Sequence, residues 1–402
     1  MQAAYAPGLT QIESSKLMSY SLSVRGFYDD NITTANSKVS TVKDSFGIDV
    51  RPSASLNLTT LQQTYIGATY TYGLRYFTDR QPHAGDHSHE FDARLEHEFT
   101  ERYKVSMDDS FVYAQEPEVI GDLGVLQRSN SSVYRNNADV SFSGQLSELF
   151  GVTLAYDNAW YDYQRRGANS YAALLNRFEH SVRLDTRWVL DPKMTLRVGY
   201  RFTALDFTGN DEILFAGSGL YGRDRNNTAH TVFTGVDYSF NARLKSSLDV
   251  GARFTEYDHA VAGNSTVSPF VSANVTYVYK EGSYAQTGVT IDRQATDQTG
   301  SSVSQVTSDS FSISPYLSIS HKITPRLTGT GLIRYTQLTY NGGTLDKQAD
   351  NFIALQLGAD YKVSEHWYVT SNYNFDNLSS DALLSTREYT RNRVFLGVTA
   401  KY

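Results

Sequence analysis

The sequence predicts an all-β protein, a transmembrane antiparallel up-and-down β-barrel of about 18 strands in a bacterial outer membrane. Three observations lead there. Apolar and polar residues alternate with a period of two along runs that are long for a soluble sheet. Tight turns and long polar loops alternate between those runs. The last run carries one apolar face through Val394, Leu396, Val398 and Ala400 to the aromatic Tyr402.

The run from Thr64 to Phe77 shows the pattern. Ile66, Ala68, Tyr70, Tyr72, Leu74 and Tyr76 alternate with Tyr65, Gly67, Thr69, Thr71, Gly73 and Arg75. A half-buried soluble strand is usually about 5–6 residues long, whereas a tilted bilayer-crossing strand needs about 9–11. Met194, Leu196, Val198, Tyr200 and Phe202 alternate in the same way with Thr195, Arg197, Gly199, Arg201 and Thr203. Val232 to Phe240, Leu244 to Phe254 and Ile353 to Tyr361 repeat the pattern. Packed as a sandwich, such strands would bury too many Arg and Asp side chains. A closed barrel in lipid satisfies the backbone and leaves no edge. The runs centre near residues 23, 50, 70, 93, 108, 139, 157, 184, 199, 234, 250, 271, 289, 315, 331, 357, 371 and 396.

The short connections share one signature, a capping polar residue, then a variable, a basic and an apolar one. Thr100-Glu101-Arg102-Tyr103, Asp191-Pro192-Lys193-Met194, Asn241-Ala242-Arg243-Leu244, Thr324-Pro325-Arg326-Leu327 and Ser364-Glu365-His366-Trp367 fit it, or nearly so. Such residues favour tight hairpins, and short turns are periplasmic in this class. Long loops are expected near residues 31–42, 79–86, 118–132, 166–174, 210–225 and 378–387. Pro52, Pro269 and Pro315 recur inside strands, where each is expected to mark a bulge.

Composition bounds the rest. Residues 1–15 are expected as a short periplasmic segment and 16–402 as a single barrel domain, since no shift in composition marks another boundary. The absence of cysteine argues against a disulfide scaffold, a zinc finger or a thiol enzyme. No apolar run is long enough for a membrane helix. The N-terminus lacks a basic region and an apolar region, so a signal peptide is expected to have been removed. A net charge of -7 predicts no nucleic-acid footprint. The expected partners are outer-membrane lipids and the barrel assembly machinery, which would read Leu396, Val398, Ala400 and Tyr402.

The first strand runs through Ser23-Val24-Arg25-Gly26-Phe27 into Tyr28-Asp29-Asp30-Asn31, followed by a polar loop, Asp44 and Val50-Arg51-Pro52. This stretch resembles the outer-membrane β-barrel proteins of exopolysaccharide operons (EpsL type), and the likeness extends loosely along the chain. The resemblance implies a role in moving polysaccharide across the outer membrane. It also implies a separate periplasmic export partner, because the chain has no helical-repeat domain to feed polymer.

The polar faces place Arg75, Arg183, Arg187, Arg197, Arg201, Arg253, Arg334 and Arg393 in the lumen, with aspartates such as Asp49, Asp185, Asp249 and Asp292 among them. One reading is a salt-bridge lattice that stiffens the wall. The other is a basic ladder for anionic solute or acidic polysaccharide, since the guanidinium fork pairs bidentately with carboxylates. Tyr65, Phe233, Phe270, Tyr316 and Phe395 either stack on sugar faces or fill the wall. His83, His87 and His89 form the one histidine cluster, a weak metal candidate read as a solvated loop. No cofactor is expected, and no nucleophile elbow, zinc-protease motif or phosphate loop suggests catalysis. Three functions remain open: a channel conducting exopolysaccharide or another polar or anionic solute out of the periplasm, a general or anion-selective porin, and a non-conducting scaffold or adhesion barrel acting through its extracellular loops.

Overall fold

Each run of alternating residues becomes one strand of a single sheet. The structure, a computed structural model, describes residues 16–402 apart from 39–40, 61–62, 81–83, 116–118, 121–124, 127–130, 260–264 and 382–386. Residues 1–15 lie outside the described residues. The barrel strands are β1 (Met18–Asp29), β2 (Ser45–Thr60), β3 (Thr64–Phe77), β4 (Gly85–Thr100), β5 (Tyr103–Ala114) and β6 (Val133–Gln145). They continue as β7 (Phe150–Tyr163), β8 (Arg177–Asp191), β9 (Met194–Phe207), β10 (Asn227–Asn241), β11 (Leu244–Tyr257) and β12 (Thr266–Lys280). The last six are β13 (Ser283–Gln294), β14 (Asp309–Lys322), β15 (Leu327–Asn341), β16 (Ala349–Lys362), β17 (Trp367–Ser380) and β18 (Tyr389–Lys401). Neighbours in the chain pair antiparallel, and β1 pairs with β18 from Ser21↔Lys401 to Asp29↔Arg393. The 18-stranded sheet therefore closes on itself. No helix among the described residues is long and apolar enough to cross a membrane.

Closure sorts the two faces. On β18, Val394, Leu396 and Val398 are exposed on the outside, while Arg391, Arg393 and Phe395 point inward and are buried. On β1 the register sets Val24 beside Val398 outside, and Phe27 beside Phe395 inside. The alternation cannot be inverted cheaply, because a cation on the lipid face costs about 2–4 kcal/mol at the midplane.

The turn signature has a direct hydrogen-bonded basis. Thr100, Asp191, Asn241 and Thr324 each accept, through a side-chain oxygen, from the backbone N–H two residues on, at 3.2, 2.7, 2.8 and 3.2 Å. Asn241 and Thr324 also accept from the N–H of Leu244 and Leu327, at 3.0 Å in each case. These caps satisfy donors that a tight hairpin would otherwise leave without a partner.

The prolines do not make bulges. Pro52 and Pro315 lie on the outer face, where the ladders to β3 and β15 skip two residues and resume in the same register. A missing N–H removes a bond without requiring an inserted residue. Pro269 stays in register with Ala252, and the ladder from β12 to β13 begins after it, at Val271. Register shifts occur at the short turns instead, for example between Val189 and Asp191 and between Ser239 and Asn241.

Candidate functional site: the lumen and its loop lid

The inward side chains of β8, β9, β10 and β11 build one charged wall. Register sets Arg183 directly opposite Arg201 and Arg187 opposite Arg197. Carboxylates are threaded between them. Arg183 reaches Asp185 at 3.1 Å, and Arg197 reaches Asp237 at 3.1 Å and Asp249 at 2.8 Å. Asp292 joins Arg253 at 3.0 Å and Arg201 at 3.9 Å. Most of the expected ladder is thus a lattice of ion pairs. Within this wall Arg187 is the exception, with no ion pair to a described residue and no partner for its Nε. It lies near the short-turn end of β8.

A second cluster sits beside the closing seam. Asp49 is shared by Arg25 at 2.8 Å, Arg51 at 3.1 Å and Arg75 at 3.4 Å. Nearby, Arg393 is committed to Asp376 at 2.6 Å, and Arg391 to Asp29 at 2.9 Å. Arg334 faces the lumen opposite Tyr316, away from both clusters, and makes no ion pair with a described residue.

The candidate sugar-stacking residues divide into two groups. Phe233, Phe270 and Phe395 are 6%, 5% and 4% exposed, too little to present a ring face to a solute. Phe233 occupies the space a side chain would need at Gly199, where a Cβ would come within 2.1 Å of its Cζ. A Cβ at Gly251 on the other side would come within 2.7 Å of Phe233 Cβ. Guanidinium groups cover the other two rings, with Arg201 at 5.2 Å over Phe270 and Arg25 at 4.9 Å over Phe395. These three rings fill the wall. Tyr65 and Tyr316 keep half-exposed positions in the lumen, and the Tyr65 hydroxyl donates to Asn57 at 2.8 Å.

The lumen is not equally open along its length. On β14, Ser310, Ser312 and Ser314 are buried toward the long-loop end, while Tyr316, Ser318 and Ser320 are half exposed toward the short turns. Loops fold in over the long-loop end. Loop 4 (164–176) carries the short helix α1 (Tyr171–Leu175), capped by the Ser170 side chain, which accepts from Ala173 N at 3.2 Å. Its Ala172, Ala173, Leu174 and Leu175 are buried against inward Tyr161, Tyr163 and Val133 of the wall. Loop 5 (208–226) adds Ile213, Leu214 and Leu220 to this core, and loop 7 (295–308) adds Val306. A Cβ at Gly209 would come within 2.6 Å of Ala172 O, so only glycine lets loop 5 close on the helix. Loop 1 (30–44) behaves alike, because Ile32 is fully buried among Phe27, Phe77 and Phe395.

Two buried arginines tie this lid together, in opposite electrostatic settings. Burial by itself would lower the pKa of Arg387, but Asp297, Tyr340 and Asp350 outweigh it and hold the group well above its ordinary value. Arg387 reaches Asp297 of loop 7 at 3.0 Å and Asp350 of β16 at 3.2 Å. Arg225, at the end of loop 5, has no such counter-charge in contact. Burial presses its pKa down, and Arg177 presses the same way. Its guanidinium donates to Thr296 O of loop 7 at 2.9 Å and to Leu174 O of α1, and lies 4.5 Å from the centre of the Phe207 ring.

His87 and His89 are not in a loop. His83 lies outside the described residues, and β4 begins at Gly85. His87 and His89 project from the outer face of β4 and bond to the hydroxyls of Tyr72 at 2.6 Å and Tyr70 at 2.8 Å. Among the described residues no group of three His, Cys, Asp or Glu is placed to hold a metal ion. At the chain's end, Tyr402 exchanges backbone bonds with Tyr20 and stacks on His366 with ring centroids 4.8 Å apart.

Sequence reasoning missed the lid, including Arg177, Arg225, Asp297 and Arg387, and did not mark 295–308 as a loop. A usable signal was present, since Ala172-Ala173-Leu174-Leu175, Ile213-Leu214 and Val306 are apolar residues inside polar loops.

A closed 18-stranded barrel with an apolar outer face and a charged lumen defines a porin-like protein of the outer membrane. The chain belongs to the family described as "Putative beta-barrel porin 2", which matches residues 17–402. No curated protein matches it. Among solved structures it is similar to a BenF-like porin from Pseudomonas fluorescens Pf-5, with 8% identity and a TM-score of 0.47 over 96% of this chain and 99% of that one. OccAB3 of Acinetobacter baumannii is similar at 12% identity and a TM-score of 0.46, over 96% and 99%. The siderophore receptor PirA of Pseudomonas aeruginosa is similar at 12% identity and a TM-score of 0.43, over 96% and 80%. Likenesses this loose say nothing of substrate.

Proposed function

We propose that the barrel is an outer-membrane channel for an anionic solute, with acidic polysaccharide leaving the periplasm as its substrate class. The observation that carries this reading is the wall of β8 and β9, where Arg183 faces Arg201 and Arg187 faces Arg197. Like charges directly opposite each other destabilise a sheet. A wall built only for rigidity would avoid such pairs. With Asp185, Asp237, Asp249 and Asp292 engaging the other cations, Arg187 stays available near the short-turn mouth, which is the periplasmic one in this class. A periplasmic export partner would present the polymer there.

The lid favours a second reading, a barrel that stays shut and acts as a scaffold. Planar-bilayer recording separates the two. In a salt gradient, the channel reading expects an anion-selective reversal potential. It also expects block by alginate added at the short-turn side. Arg187→Glu should shift selectivity toward cations, and replacing Arg183, Arg187, Arg197 and Arg201 together by Ala should weaken the block. A cation-selective wild type, or block unchanged in the fourfold variant, would overturn the anion reading. No conductance even after removal of α1 would favour the scaffold.

A further inference from the structure

Arg225 is the one place where the lid holds a charge in an unfavourable setting. Its side chain is fully buried, its Nε has no partner, and it makes no ion pair with a described residue. Asp297 and Asp309 only partly offset its burial from a distance, and no charged group near it is in ion-pair contact with it. Arg177, a like charge, is bonded to Glu179 at 2.6 Å and lies over Tyr161. Asp297 is held by Arg387 at 3.0 Å, and Asp309 by Arg293 at 2.6 Å. Two carbonyl oxygens and one ring face replace water and a counter-ion. Burying a charge without a counter-charge in contact is costly even when it is hydrogen-bonded.

The same side chain bonds loops 4 and 7 directly to loop 5, beside the bonds from Asn169 N to Glu212 O and from Gly167 N to Asp211 that already join loops 4 and 5. It donates to Leu174 O in loop 4 and to Thr296 O in loop 7, and its own backbone belongs to loop 5. Loop 7 is held from the other side by Arg387, so the three loops meet over the mouth. The closed arrangement therefore carries a desolvated cation that an open arrangement would hydrate or pair. A ligand shifts an equilibrium by its differential affinity for the two states. An anion gains most from the exposure of an arginine, because charge-assisted hydrogen bonds are stronger than those to neutral oxygens.

We infer that loops 4, 5 and 7 form a lid that an anionic saccharide opens, by capturing Arg225 from its carbonyl bonds to Leu174 and Thr296. The inference rests on the channel reading above and adds a gate and its trigger to it. Carboxylated sugars suit the role because their carboxylates match the guanidinium fork.

The test uses the full chain in planar bilayers, with oligogalacturonate as the probe and neutral maltohexaose as the control. Wild type should show a low basal open probability that rises about tenfold with oligogalacturonate and stays level with maltohexaose. Arg225→Met keeps the length and burial of the side chain but removes the charge. It also removes both carbonyl bonds, so oligogalacturonate should no longer change the open probability from its basal level. A second variant, with Tyr171–Leu175 replaced by Gly-Ser residues, should conduct constitutively and ignore the probe. Heat-modifiable migration in electrophoresis reports that each variant has folded. A probe response retained in Arg225→Met, or equal responses to both sugars, would overturn the gate. Absence of conductance in the variant without α1 would instead remove the channel reading beneath it.

Discussion

Removing the carboxylate of Asp49 should destabilise the barrel far more than removing an exposed luminal carboxylate. Its side chain is 2% exposed and touches three guanidinium groups, at 2.8, 3.1 and 3.4 Å. Breaking a buried ion pair by deleting one partner costs about 3–5 kcal/mol, because the remaining charge is left uncompensated. Here three cations are left, on β1, β2 and β3 at the closing seam. Their side chains are 19%, 26% and 18% exposed, so partial rehydration and solvent screening reduce the penalty. About 3 kcal/mol is a reasonable expectation for Asp49→Ala, which is a factor of about 100 in the unfolding equilibrium. Asp108 is the internal control. It is 49% exposed and 3.7 Å from Arg94, itself 55% exposed. Exposed pairs of that kind contribute about 0–1 kcal/mol. Urea unfolding in phospholipid vesicles, followed by tryptophan fluorescence, measures both variants. Losses of similar size in the two, or a loss below about 1 kcal/mol for Asp49→Ala, would refute the reasoning from shared burial.

Three further outcomes are expected. Asn241→Ala removes two side-chain bonds in a tight turn and should cost on the order of 1 kcal/mol, read as a lower urea midpoint with an unchanged slope. Phe233→Ala empties the space above Gly199 and Gly251 and should cost about 3–5 kcal/mol by the same assay. Arg387→Ala leaves Asp297 and Asp350 buried without their cation, so hydrogen exchange should rise strongly across residues 295–308 while strands β5 to β9 keep their protection.

The barrel was legible because its rules are local. Alternation along Thr64–Phe77 sets which side chains meet lipid, whatever strand lies beside it. The caps at Asp191 and Asn241 act across two residues, so the turns could be read by eye. The approximate strand centres, the strand number and the inward placement of Arg183, Arg187, Arg197 and Arg201 follow from that local grammar. Two local inferences failed for an instructive reason. Pro52 and Pro315 were expected to insert a residue into the ladder, yet the sheet absorbs a lost N–H without changing register. His87 and His89 looked loop-like in a polar stretch, but alternation continues through them and tyrosine hydroxyls across the strand bond their rings.

By itself, then, the sequence determined the fold, the two faces and the charge carried by each wall. Tertiary structure alone decided which arginines are free and whether the mouth is open. Arg187 and Arg197 are indistinguishable by type and pattern, but only the register places Asp237 and Asp249 within reach of Arg197. Arg225 finds Thr296 across 71 residues, and Arg387 finds Asp297 across 90. Contacts at such separations obey no period in the chain, because closure of the barrel, rather than sequence proximity, brings the loops over one mouth.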